Sequence, residues 1–182
     1  MDAYAELPKV VTLGDGSRAL IRALVPEDEP YLREGFEALS RRSRELRFLS
    51  ADVRPHESDY RHLVHPDGVD HLALAMEKYP IDSGDRIGIG VARCVRLPED
   101  REAAEVAVVI ADEYQHRRAG VAMLEALRDA ALSVGIRRFW GLVRTDNDAI
   151  LNALTHVSTL VDKKVFEPGV YETTWELTTP AD

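Results

Sequence analysis

The chain of 182 residues carries one cysteine, Cys94, and a lone thiol closes no internal disulfide. Disulfide-stapled secreted scaffolds are thereby excluded. Long apolar runs are missing too. None approaches the roughly 18 to 20 residues of a membrane span. The start, Met1-Asp2-Ala3-Tyr4-Ala5-Glu6, lacks the basic segment and apolar core of a leader, so a cytoplasmic address is expected. Basic side chains are outnumbered, 23 against 32 acidic ones, for a net charge of -9. That balance argues against a nucleic-acid binder held by phosphate contacts. Lysine is scarce, with Lys9, Lys78, Lys163 and Lys164 alone, and the arginines cluster at Arg41-Arg42, Arg44, Arg47, Arg117-Arg118 and Arg137-Arg138. No repeat or low-complexity tract is visible. What remains is a globular profile, 45% apolar and 30% charged. Its length suits one domain that buries about 70% of its unfolded surface.

Two β-prone runs, Lys9 to Leu13 and Arg18 to Arg22, flank Gly14-Asp15-Gly16 and predict a hairpin. Val25-Pro26-Glu27-Asp28 opens a helix on which Tyr31, Leu32, Gly35, Phe36 and Leu39 recur at helical spacing, and Ser40 to Leu49 predicts a second, arginine-rich helix. Strands then follow at His71 to Met76, Arg86 to Leu97 and Glu105 to Ala111, with Asp82-Ser83-Gly84-Asp85 as the turn between the first two. The third is almost wholly apolar, as a central strand would be. Ala122, Met123, Ala126, Leu127, Ala130 and Ala131 mark a helix closed near Gly135. A strand over Arg138 to Val143, a helix over Asp146 to Val157 and a closing strand pair complete a mixed α/β order.

The segment that carries chemistry runs from Glu105 to Leu127. An apolar strand enters the turn Gln115-His116-Arg117-Arg118-Ala119-Gly120, and a helix leaves it. Free N–H groups and the positive dipole end of a helix N-terminus attract anions, glycine permits close approach, and two arginines add charge. This is a phosphate cradle, though neither a P-loop nor a dinucleotide fingerprint. An ordinary strand–turn–helix would read similarly.

The segment resembles the acetyl-CoA-binding motif of GNAT-superfamily N-acetyltransferases, Gln/Arg-x-x-Gly-x-Gly/Ala after a strand. On that family's spacing Ala104-Glu105 and Tyr114-Gln115 align without a gap, Gly120 takes the second glycine, and Met123 to Leu127 continue the helix in register. Arg118 stands where the first glycine is expected. The resemblance covers residues 10 to 177. Val25-Pro26-Glu27-Asp28 and Leu39-Ser40-Arg41-Arg42-Ser43-Arg44-Glu45-Leu46-Arg47-Phe48 are similar to the bacterial protein lysine acetyltransferases, which carry a comparable Leu-Ser-x-x-Ser-Arg-x-x-Arg-Phe segment. Asp146-Asn147 and the helix after it resemble the family's second motif. There Leu154 replaces a tyrosine acid and Ser158-Thr159 replace Gly-Phe, so no tyrosine proton donor is assigned.

The resemblance implies one domain, 1–182, with a mostly antiparallel mixed sheet flanked by helices and an acyl-CoA cleft between splayed central strands. It implies transfer of an acetyl or other short acyl group from acetyl-CoA to a primary amine by direct attack, a protein lysine being one acceptor and a homodimer one possible assembly. Neither nucleic acid nor membrane is a partner, and no metal is needed. Glu105 matches the glutamate base; a partly desolvated carboxylate there would have the raised pKa that base catalysis favours. Val108 and Ile110 would lend backbone groups to the pantetheine arm. Gln115, His116, Arg117, Arg118, Ala119, Gly120, Val121 and Ala122 would hold the pyrophosphate, and Asn147 would contact the cofactor near its pantetheine end. A GNAT-like module that binds acyl-CoA without turnover, motivated by Arg118, Leu154 and Ser158-Thr159, is the alternative.

Other residues read more plainly. His62, His65 and His71 match no zinc spacing and are expected as solvated loop histidines. His116 is expected to face solvent. Gly88-Ile89-Gly90 is followed by strand, so it marks a close approach within the sheet. Cys94 is expected buried and inert. The arginines at 41, 42, 44 and 47 form a solvated helix face, pair with Glu34, Glu37 and Glu45, or face a ligand.

Overall fold

The computed structural model describes residues 2–80 and 86–179, so the turn expected at Asp82 to Asp85 lies outside the described residues. Eight strands form one sheet among the described residues: β1 (Lys9–Thr12), β2 (Arg18–Ala23), β3 (His71–Tyr79), β4 (Gly88–Arg96), β5 (Ala103–Ile110), β6 (Arg138–Arg144), β7 (Ser158–Glu167) and β8 (Val170–Leu177). Their order is β1-β2-β3-β4-β5-β6-β8-β7. Neighbours are antiparallel except β5 and β6, which run parallel. The helices are α1 (Glu29–Ala38), α2 (Arg41–Phe48), α3 (Glu57–Leu63), α4 (Ala119–Ser133) and α5 (Asp148–Leu154).

Strand alternation divides the sheet into two faces. One face packs on α4 and α5: Leu72, Leu74, Met123, Leu124, Leu127, Phe139 and Leu154 form a continuous core with Ala104, and Val106, Val108 and Ile110 lean on it. Each such buried side chain stabilises by about 1.5 to 3 kcal/mol. The other face carries Leu24, Val64, Ala73 and Ala75, with Leu32 of α1 packed against them. On β5 the odd residues Ala107 and Val109 share that second face with Val91 and Arg93 of β4.

The hairpin, the strands and four of the helices match the pattern of the sequence. α3 does not: residues 50 to 70 offered no periodic signal, because a helix of seven residues shows hardly two turns. That helix changes the reading of the histidines. His62 and His65 are exposed, but His71 opens β3 buried, with only 5% of its surface exposed. Its ring stacks on that of His62 at 5.2 Å, and neither ring nitrogen has a hydrogen-bond partner. Burial pushes its pKa down to about 4, helped by the charge of Arg93. The folded state thus holds His71 neutral where the unfolded chain would protonate near pH 6.5. Stability is full above pH 6.5 and declines as the pH falls toward 4, by on the order of 2 to 3 kcal/mol. Urea titrations between pH 7 and pH 4 should show this slope for the parent and its loss in His71→Leu. An unchanged slope in the variant would assign the acid sensitivity elsewhere.

Cys94 is fully buried, its thiol pushed up to about 12 by burial, as an inert core residue should be. Gly90 is a close approach: a Cβ there would stand 2.6 Å from the Val109 carbonyl and from Ile110 Cδ1.

Candidate active site

β5 and β6 pair over only three positions, Ala103 to Glu105 against Arg138 to Trp140, and then part. The parting opens a cleft of ≈ 690 Å³ between them. Ala111 N–H donates to Ile89 of the β4 side at 2.8 Å, which fixes the backbone phase of β5. By alternation the N–H and C=O groups of Val106, Val108 and Ile110 point the other way, into the cleft. Gln115 confirms the phase, donating from Nε2 to the Ile110 carbonyl at 3.1 Å. Glu105 sits at the vertex, the last paired residue before the strands separate, and its side chain is exposed. The desolvation expected for this carboxylate is therefore not found; it stands beside solvent and the nearby charge of Arg47.

At the far end of β5 a short 3₁₀ turn leads into α4. The Ala122 N–H closes the first helical bond to the Arg118 carbonyl, leaving Ala119, Gly120 and Val121 with N–H groups that no turn of the helix can satisfy. No acidic residue lies in that first turn and no side chain caps it. Arg118 adopts φ 63°, the left-handed conformation that glycine reaches freely and arginine does not. Arg118→Gly should therefore stabilise the protein by about 1 kcal/mol, read as a shift in denaturation midpoint. A loss of stability would mean that the arginine side chain makes contacts worth more than the strain.

Glu105, Val108, Ile110, Gln115, His116, Arg118, Ala119, Gly120, Val121 and Asn147 all line this cleft. Arg117 and Ala122 do not. Arg117 turns to the β1–β2 hairpin, with Nη1 2.6 Å from Asp15 and its guanidinium over the Tyr114 ring at 5.1 Å. Gly14 seals that junction by donating to the Arg117 carbonyl at 2.7 Å. His116 is exposed. Asn147 caps α5 by accepting from the Ile150 N–H. Leu154, in the place of a tyrosine, is 1% exposed and closes the cleft floor.

α2 roofs the cleft, and its arginines are not one solvated face. Arg41 pairs with Glu45, Arg42 reaches Asp146 at 3.0 Å, Arg44 lies over Phe36, and Arg47 turns into the cleft. The helix is bolted down by Asp112, a residue the sequence did not single out. Asp112 accepts from the Ser40 N–H at 2.8 Å, from Ser40 Oγ at 2.9 Å and from Ser43 Oγ at 2.5 Å. Ser43 Oγ accepts in turn from Gln115 Nε2 at 3.0 Å. Some desolvation pushes the Asp112 carboxyl up, and these bonds outweigh it and hold the group below the usual carboxylate range.

Residues 35–155 match the model of the acetyltransferase (GNAT) family. The chain belongs to that family. It is 30% identical over 143 residues to acetyltransferase Pat of Mycolicibacterium smegmatis, a match covering 79% of this chain and 41% of that protein. The GNAT domain of S. lividans PAT superposes with a TM-score of 0.81 at 28% identity, over 95% of this chain and 98% of that domain. The yncA structure from Salmonella typhimurium, solved with its cofactor acetyl-CoA, shares the fold at TM-score 0.64 and 16% identity, over 87% of this chain and 92% of its own. The chain thus spans about two fifths of the mycobacterial relative.

GNAT acetyltransferases use acetyl-CoA and an acceptor substrate. The residues of this chain fit that cosubstrate. Free helix N–H groups suit phosphates, and the open strand edge suits an amide-bearing arm. A Cβ on Gly120 would meet only Ile110 Cγ1, at 3.8 Å, so glycine there leaves space that no protein atom claims. Among the described residues no helix is long and apolar enough to cross a membrane.

Proposed function

We propose that the protein transfers an acetyl group from acetyl-CoA to a primary amine by direct attack, with Glu105 as the base. The observation that carries this reading is the position of Glu105 at the vertex where β5 and β6 part. Bound acetyl-CoA supplies the activated thioester. The Ala119, Gly120 and Val121 N–H groups hold its phosphates, and Val108 and Ile110 pair with its arm as an added strand would. Gln115, locked to Ser43 and the Ile110 carbonyl, fixes the shape of the turn more than it binds. Arg117 acts at one remove, buttressing the turn from Asp15. Asn147 orients the start of α5 beside the arm.

An amine with a pKa near 10.4 is almost wholly charged at pH 7 and must lose a proton before it attacks. The Glu105 carboxylate takes that proton, directly or through one water, and being exposed it passes it to solvent. The Val106 N–H, aimed into the cleft next to the vertex, stabilises negative charge as it develops on the acyl oxygen. With Leu154 where a phenol would stand, the leaving thiolate departs unprotonated or draws on water.

Calorimetric titration with acetyl-CoA, followed by thiol-release assays on an amine and peptide panel, tests this reading. Micromolar binding with turnover of at least one amine is expected. Binding without thiol release from any acceptor would instead support an acyl-CoA sensor. A protein lysine as acceptor is the second reading, supported by the likeness to Pat, and the lysine peptides of the panel test it.

A further inference from the structure

A second cavity of ≈ 600 Å³ lies on the α1–α3 side of the sheet. It meets the acetyl-CoA cleft at Arg47, Phe48, Ala107 and Val109, which line both. Besides Glu34 and Glu113, both exposed, and Asp112, held by Ser40 and Ser43, its charged lining falls into two parts. At one end Asp28 and Glu77, 2% and 4% exposed, are matched by two arginines. Arg22 lies 2.7 Å from Asp28 and 3.2 Å from Glu77; Arg86 lies 3.0 Å and 2.9 Å from the same carboxylates. This cluster is neutralised, two carboxylates against two guanidinium groups.

The other end is different. Arg47, from α2, and Arg93, from the middle of β4, face the cavity, and among the described residues neither forms an ion pair or donates a hydrogen bond. Partial burial makes both charges costly, and Arg93 is further disfavoured by the charge of Arg47; its pKa falls to about 10. Two half-buried guanidinium groups lining one cavity, that of Arg47 resting over the Phe48 ring at 4.8 Å, offer ten N–H donors to a planar or tetrahedral anion. Between the two charged ends the wall is apolar, built from Leu24, Leu32, Phe36 and Phe48.

We propose that this cavity receives the acceptor, and that the acceptor is a small amine bearing a carboxylate or phosphate, which Arg47 and Arg93 bind while the amine faces Glu105. The proposal rests on the acetyltransferase reading and names the substrate class of that site. The cofactor's own phosphates are not the anion in question. Arg93 stands opposite Ala107, three residues or about 10 Å along β5 from Ile110 and the α4 N-terminus, and on the face of the sheet away from α4. Arg47 feels the charge of Glu105 as well as that of Arg93, so an anion held there lies close to the nitrogen to be acylated. That fits an amino acid or amino phosphate better than a long diamine.

Calorimetry on the full chain with matched pairs tests the assignment: phenylalanine against phenylalaninamide, and O-phosphoethanolamine against ethanolamine. The expected result is at least tenfold tighter binding of the anionic member of one pair. Arg93→Gln should abolish that difference while leaving the Kd for acetyl-CoA unchanged; if that variant does not fold, Arg47→Gln on the surface helix serves for the selectivity readout. Equal binding of both members of each pair overturns the proposal, as does a preference that survives in both variants. A charge preference confined to lysine peptides with acidic flanks also overturns it, in favour of a protein acceptor. Calorimetry needs no turnover, so a failure of catalysis would strike the acetyltransferase reading and leave this measurement standing.

Discussion

Glu105→Gln is expected to lower kcat about 10²-fold while leaving the Kd for acetyl-CoA within a factor of two. The exchange keeps the size of the side chain and its place at the vertex, and it removes only the ability to take a proton. Glu105 is exposed and holds no hydrogen bond or ion pair among the described residues, so the fold should not register the change. With the base gone, the rate should track the fraction of free amine and rise steeply with pH below the amine's own pKa. Steady-state kinetics from pH 6.5 to 9.5 measure both effects. An unaltered kcat would end the role assigned to Glu105 and move the proton to solvent.

Gly90→Ala is expected to cost about 2 to 3 kcal/mol of stability and to weaken acetyl-CoA binding at least tenfold. The new methyl would meet the Val109 carbonyl at 2.6 Å, and that oxygen belongs to a backbone that cannot swing aside. β4 and β5 would have to separate near Ile110, the residue whose backbone faces the cleft and whose carbonyl anchors Gln115. Stability and affinity should fall together, because one displacement causes both. A destabilised variant with normal affinity would show that the strand edge is not what the cofactor reads. Thermal denaturation and calorimetry on the same sample separate the two.

The sequence made the cofactor end of this molecule legible. Its signals are local: an apolar strand, a polar turn and a helix start lie within Glu105 to Leu127. Of Gly88-Ile89-Gly90, read as a close approach because small residues lie inside a strand pattern, Gly90 makes one and Gly88 faces open space. The proposed acceptor end was not. Arg47 and Arg93 are 46 residues apart in the chain and line one cavity only once α2 is laid across the sheet. The bolt that lays it there, Asp112 on Ser40 and Ser43, spans about 70 residues and has no spacing to read. Burial of His71 is of the same kind, set by α3 and not by its own neighbours in sequence. Arg118 was seen as a departure from a glycine pattern; its φ of 63° supplies the reason that the pattern asks for glycine.

The parting of β5 and β6 also bears on how long the protein lasts between turnovers. Pairing stops after Glu105 and Trp140, so the sheet forgoes ladder hydrogen bonds at its own centre, and a cosubstrate bound as proposed would supply groups to make them. Resistance to heat and protease would then be set partly by metabolite supply. At a concentration a hundredfold above Kd, mass action alone adds about 2.7 kcal/mol to the folding free energy. The same enzyme would be measurably more fragile in a cell starved of acetyl-CoA.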